Sequence, residues 1–203
     1  MFTGIVESVA KVEDSKLDKD ILAMTIGRPQ GWELKIGQSI SVDGVCLTVT
    51  EFTDSEFTAE LMPETTKRST FGEKSLPNKV NLERAMSPEG LFEGHIVQGH
   101  VDALSTILKI DQSPQWRTLR IAYEPDMGGL LVEKGSVTVS GVSLTIVEVT
   151  DKWFSVSLIP HTIDATTIGA KKEGDSVNIE YDILGKFIER QLKKTNRLGG
   201  LDG

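Results

Sequence analysis

An all-β protein is what this sequence predicts: two tandem, similar, six-stranded Greek-key-like closed barrels followed by a short C-terminal α-helix. Three observations carry that reading. The 203-residue chain repeats itself. Val, Ile and Thr supply about a quarter of its residues, and branched side chains suit pleated surfaces. Short alternating segments recur with turn signals at the roughly 8–12-residue spacing of small barrels and sandwiches.

The repeat appears when the chain is slid against itself. Residues 39–83 lie over 136–180 without a gap, with 19 identities in 45 columns, where chance would give about three. The shared positions include Gly44/Gly141, Leu47/Leu144, Thr48/Thr145, Pro63/Pro160, Gly72/Gly169 and Asn81/Asn178. Upstream the match is looser, with TGIVE from Thr3 lying over QGHVD from Gln98. A period near 95 is too long for a solenoid, so it reads as a duplicated domain. The Pro- and Gly-bearing stretch MSPEGLFEG marks the seam. The expected divisions are a first barrel over 1–93, a second over 94–182, an oligomerisation helix over 183–194 and a disordered tail over 195–203.

The elements of each unit follow in order. SISVDGVCLTVTEF alternates on both sides of a glycine and reads as two strands joined at Asp43-Gly44; Ser140-Gly141 takes that place in the second copy. FTAELM and FSVSLI alternate in the same way. ETTKRSTFG and HTIDATTIG are polar, helix-capable links whose final Gly suits a C-cap. VNLERA and VNIEYD close each unit as short strands. Beyond them, ILGKFIERQLKK places Leu184, Phe187, Ile188 and Leu192 on one helical stripe, fit to pack on a barrel or on copies of itself.

Composition narrows the function. Net charge is −8, so no positive field exists to displace counterions from a nucleic acid. No apolar run approaches membrane-spanning length and no secretory leader is legible, which leads us to expect a cytoplasmic protein. One cysteine allows no intrachain disulfide and suits a reducing compartment. Dinucleotide, nucleotide-triphosphate and hydrolase-elbow motifs are missing. The three histidines are His95, His100 and His161. His95 and His100 lie five apart, on opposite faces of an extended strand, so neither a shared metal site nor any other metal is expected. Cys46 in GVCLT faces Ser143 in GVSLT. As a lone thiol it reads either as a small buried hydrophobe or as a change of chemistry at constant geometry. From spacing alone, the chain is a tandem-barrel protein whose Gly-flanked strand edges could hold a small heterocycle.

The motifs MFTGIVE, DGVCLTV, GHIVQGHVD, SGVSLTI and IPHT, in this order, resemble the riboflavin synthase family from Met1 to about Lys194. Asp43 stands where that family commonly has Asn, and Glu93 where it often has Gly. The resemblance implies a transferase of riboflavin biosynthesis that needs no cofactor. Two molecules of 6,7-dimethyl-8-ribityllumazine dismutate, one giving a four-carbon unit to the other, to riboflavin and 5-amino-6-ribitylamino-2,4-pyrimidinedione. It further implies a homotrimer, with each site shared between the first barrel of one subunit and the second barrel of its neighbour. A lumazine synthase capsid is a further partner that the family suggests.

Carried over by motif, the first pocket should use Gly4, Ile5, Val6, Ser41, Cys46, Leu47, Thr48, Glu60, Leu61, Met62, Pro63, Glu64 and Thr65, joined by Gly99, His100 and Val101. The second should use Lys134, Ser143, Leu144, Thr145, Ile159, Pro160, His161, Thr162, Ile163 and Asp164. The catalytic candidates are His100 as a base toward the lumazine C7 methyl, Ser143 and Cys46 at the nucleophile, and Asp182 orienting a polar partner; Phe2 is expected to shield the site. Relatives with the same barrels that only bind a lumazine or flavin are the competing reading, and a paired-barrel interaction module a third.

Overall fold

The computed structural model describes residues 1–199, of which 196–199 are described by their backbone alone. Six strands form the first closed barrel: β1 (Ser8–Asp18), β2 (Ile21–Gly27), β3 (Ser39–Val42), β4 (Val45–Phe52), β5 (Glu56–Leu61) and β6 (Lys79–Arg84). Around the barrel they run β1-β2-β5-β4-β3-β6, every pair antiparallel. The second barrel repeats this with β7 (Ala103–Gln112), β8 (Arg117–Ala122), β9 (Ser136–Val139), β10 (Val142–Val149), β11 (Trp153–Leu158) and β12 (Ser176–Tyr181), in the order β7-β8-β11-β10-β9-β12. Closure leaves neither sheet an open edge.

Alternation makes the cores. On β2 every second residue is buried, so Leu22, Met24 and Ile26 point inward, meeting Phe57, Ala59 and Leu61 of β5. Ile121, Leu119, Phe154, Val156 and Leu158 do the same in the second barrel. Each unit spans its mouth with a short helix, α1 (Pro63–Arg68) or α2 (Pro160–Ala165), which opens on proline and ends in an extended cap at Ser69 or Thr166. The helices therefore stop before Gly72 and Gly169 rather than capping on them. Those glycines lie in a following 3-10 turn, where an added Cβ would strike the carbonyl of Thr66 or Ile163.

The two barrels meet at the β3–β4 and β9–β10 turns. Asp43-Gly44 and Ser140-Gly141 have positive φ at both positions (46° and 81°, 45° and 82°), the backbone of a tight hairpin turn that matches strand twist. A Cβ on Gly44 would sit 2.7 Å from the nitrogen of Gly141, and one on Gly141 2.8 Å from that of Gly44. Two asparagines clasp this contact. Asn81 donates to the Ser140 carbonyl (2.8 Å) and accepts from the Thr167 N–H (2.7 Å). Asn178 donates to the Asp43 carbonyl (2.8 Å) and accepts from the Thr70 N–H (2.8 Å).

After β12, α3 (Ile183–Gly199) begins beside the Pro125–Leu130 turn of the second barrel. It runs five residues past its expected end, so residues 195–199, read as disordered tail, are helical; 200–203 lie outside the described residues. Leu184, Phe187, Ile188 and Leu192 are all more than half exposed, so the stripe does not pack on its own barrel. Lys186 instead ties the helix back to Asp102 at 2.5 Å.

Candidate active site

The motif strands β4 and β10 run out of the inter-barrel turns, and this places Cys46 and Ser143 beside the junction. Both are half-buried. Thr48 and Thr145, two residues on, share the outward face and are exposed. Leu47 and Leu144 point the other way into the cores, as does Leu61, so these three side chains support the site from within. Ser41 is buried on β3 opposite Cys46. Glu60, Met62, Pro63 and Glu64 are exposed around the first mouth, as are Ile159, Pro160, His161 and Asp164 around the second. Thr65, Thr162 and Ile163 are half-buried there. Lys134 is exposed in the turn before β9, its N–H bonded to the Ile146 carbonyl.

The segments that lid these mouths are exchanged. Residues 98–101 lie over the first barrel: the Cys46 N–H donates to the Gly99 carbonyl (2.8 Å), and Val101 packs on the first core. Residues 3–6 lie over the second: the Ser143 N–H donates to the Gly4 carbonyl (2.7 Å), and Val6 packs on the second core. This corrects the expected grouping of Gly4, Ile5 and Val6 with Cys46. The repeat alignment matches like with like but says nothing about which copy a segment covers. Between the two lids, Phe2 and Val97 pair antiparallel, each completely buried. Phe2 therefore pins the lids together rather than shielding a ligand.

The first mouth holds a cavity of about 330 Å³ lined by Val45, Cys46, Glu64, Thr65, Arg68, Gly99, His100 and Val101. His100 is exposed at its rim. Arg68, which the motif comparison missed, is ion-paired with Glu64 one helical turn away; its repeat counterpart is Ala165.

The second mouth carries a different constellation. His95, only 8% exposed, sets Nδ1 2.7 Å from the Ser143 hydroxyl and Nε2 3.2 Å from the Thr138 hydroxyl. Burial pushes its imidazole below the usual histidine range, while the Asp182 charge pulls the other way. With its proton on Nε2, a neutral ring in this position can donate to Thr138 and accept from Ser143, the nucleophile–base–orienter arrangement of hydroxyl activation. His95 and His100 thus part to opposite mouths, although the segment between them is not the extended strand expected from the sequence. Asp182 does not reach Ser143. Its carboxylate accepts the Leu184 N–H (2.9 Å) at the start of α3, and what reaches His95 from it is its charge.

Two further residues emerge. Buried Glu83 accepts from the N–H and hydroxyl of Thr3 (2.6 and 2.9 Å) and the N–H of Gly4 (3.0 Å). Buried Glu180 accepts from the N–H groups of Gln98 (2.7 Å), Gly99 (2.8 Å) and His100 (2.9 Å). Burial raises both carboxyls above the usual range and these donors oppose it. Their one sequence signal was identity at matched columns of the repeat.

Comparison with known proteins fits this geometry. The lumazine binding domain family matches twice, over residues 3–85 and 98–182. The chain is 45% identical to the riboflavin synthase of Actinobacillus pleuropneumoniae, over 96% of this chain and 91% of that one. It is 44% identical to that of Bacillus subtilis strain 168 (97% and 92%). The chain belongs to the riboflavin synthase family. Identity to the family's Saccharomyces cerevisiae member is still 39%, over 96% of this chain and 87% of that one. In fold it is similar to LumP complexed with 6,7-dimethyl-8-(1'-D-ribityl) lumazine (TM-score 0.80, 22% identity) and with riboflavin (0.82, 23%), each covering 89% of this chain and 99% of LumP. The two matched domains coincide with the two barrels, so the duplication is a property of that family's fold.

Proposed function

We propose that this protein is a riboflavin synthase: a cofactor-independent transferase that dismutates two 6,7-dimethyl-8-ribityllumazine molecules, by four-carbon transfer, to riboflavin and 5-amino-6-ribitylamino-2,4-pyrimidinedione, the final step of riboflavin biosynthesis. The observation that carries this reading is the pair of like mouths with unlike chemistry, Cys46 with His100 at one and Ser143 with His95 at the other. A reaction between two copies of one substrate suits two copies of one binding unit, and holding both rings in fixed relation supplies proximity and orientation. The chemistry that must differ between donor and acceptor can then reside in the residues that differ between the copies.

In this reading the backbone groups of β4 and β10 grip the two heterocycles, and the mouth hydroxyls and carboxylates hold the ribityl chains. Ser143, relieved of its proton by His95, serves the addition at C7 of one lumazine. His100 stands at the other mouth to take a proton from the C7 methyl of its partner, whose anion delocalises into the ring. Ser41, Thr48, Thr65, Thr145, Thr162, Asp164 and Lys134 are the polar candidates for substrate contact. The exposed stripe of α3 supports a homotrimer that brings the first mouth of one subunit to the second mouth of its neighbour. A lumazine synthase capsid partner and a cytoplasmic location belong to the same reading.

The test is incubation with 6,7-dimethyl-8-ribityllumazine alone, followed by absorbance. Riboflavin formation with one pyrimidinedione per riboflavin is the expected result. A spectral shift without product would mean a lumazine-binding protein, and no change would leave a paired-barrel interaction module.

A further inference from the structure

Among the buried ionisable groups, Glu83 and Glu180 stand apart because each is rooted in one barrel and spends its carboxylate on the lid of the other. Glu180 sits on β12 of the second barrel, 2% exposed, and gathers three consecutive backbone N–H groups, of Gln98, Gly99 and His100. Consecutive N–H groups pointing into one concavity form an anion nest, and here the anion is the protein's own. Gly99, at φ 77°, then turns its carbonyl onto the Cys46 N–H, so close that a Cβ on Gly99 would lie 2.6 Å from the Cβ of Cys46. Glu83, on β6 of the first barrel, holds Thr3 and Gly4 in the mirrored arrangement, and Gly4 at φ 78° turns its carbonyl onto Ser143.

We infer that Glu180 and Glu83 are positioning residues acting in crossed fashion: Glu180 latches the lid that presents His100 and covers Cys46 in the first barrel, and Glu83 latches the lid over Ser143 in the second. The latch needs both carboxylate oxygens, since in each case both accept. A glutamine offers one acceptor oxygen and turns an amide N–H₂ toward a backbone N–H, so Glu180→Gln releases the first lid and leaves the second. As a statement about turnover this rests on the proposed lumazine chemistry; as a statement about the lids it does not.

The single cysteine makes the test direct, because thiol titration of the whole chain with 5,5′-dithiobis(2-nitrobenzoate) reads Cys46 alone. In Glu180→Gln the reaction is expected to accelerate about tenfold, the scale of losing one hydrogen bond to a charged group. Glu83→Gln, at a site also buried but in Cys46's own barrel, should leave the rate unchanged. Equal acceleration by both substitutions, or none by Glu180→Gln, overturns the crossed assignment. If Glu180→Gln does not fold, Glu180→Asp against Glu83→Asp makes the same comparison, with the same two overturning results. With lumazine as substrate, Glu180→Gln should lower kcat more than it raises KM. A wild-type protein inert toward lumazine but showing the crossed thiol pattern would reject the catalytic reading and leave the latch. Active protein without that pattern would do the reverse.

Discussion

Ser143 and Cys46 occupy one position of a duplicated frame, and what separates them is the company each keeps. Ser143 has a buried imidazole at 2.7 Å, whereas Cys46 shares its cavity with the exposed His100. Removing the hydroxyl in Ser143→Ala, or the base in His95→Gln, should each cut riboflavin formation by on the order of a hundredfold, the usual worth of a positioned base, with the double variant no worse than either single. Multiplying losses in the double variant would show that the two do not act as a unit. Because burial holds His95 below its ordinary value of 6.5, the ring stays neutral when an exposed histidine would charge, so the acid limb of turnover is expected below pH 6.5. Asp43 offers a second pH signature. Sealed at the junction, where its carboxylate accepts the Asn81 N–H, its pKa is pushed up from 3.8 to about 7, chiefly by burial. The folded state therefore keeps a proton that the unfolded state has lost. Stability should fall as pH rises from 4 to 7, by about 4 kcal/mol if the whole difference between the folded and unfolded values is expressed. Asp43→Asn, which cannot ionise, should melt higher than the parent at pH 8, and its advantage should vanish near pH 4. An advantage independent of pH would sink this account.

At the scale of elements, legibility followed the strength of the local pattern. The β3–β4 and β9–β10 hairpins could be read because Asp43-Gly44 and Ser140-Gly141 satisfy a turn that demands positive φ at both central residues. By contrast β1 buries only Ala10 among its eleven residues, so it carries no alternation to find, and its charged run KVEDSKLDKD resembles a loop. The α3 stripe was legible from its period, but its end was not: TNRLG offers neither a proline stop nor a strong apolar repeat. That stripe also sets an expectation. Four large apolar side chains held out on one helix face call for a covering surface. If the proposed homotrimer is built on that face, Phe187→Glu with Ile188→Glu should give monomers in sedimentation, and with them lose turnover while the barrels still melt cooperatively. Active monomers would show that each chain carries a complete site.

For the molecule as a whole, the duplication was plain in the sequence and the exchange of lids was not. TGIVE and QGHVD align as equivalents, yet only the fold shows each lying on the barrel that the other belongs to. No local propensity encodes that choice; it comes from the direct approach of Gly44 to Gly141 and from the asparagines that lock it. The two barrels therefore share backbone hydrogen bonds, lid latches and a sealed polar junction, and should unfold as one unit although each has its own core. Asn81→Ala strips partners from the Ser140 carbonyl and the Thr167 N–H, and Asn178→Ala strips them from the Asp43 carbonyl and the Thr70 N–H. Each substitution leaves buried backbone groups unpaired, at a cost of about 1–3 kcal/mol per group. Neither touches a core side chain, so the loss falls on the coupling between barrels. The double variant should accordingly replace one calorimetric transition with two. A single transition, merely shifted lower, would mean that the lids and the turn contact hold the barrels together without the asparagines.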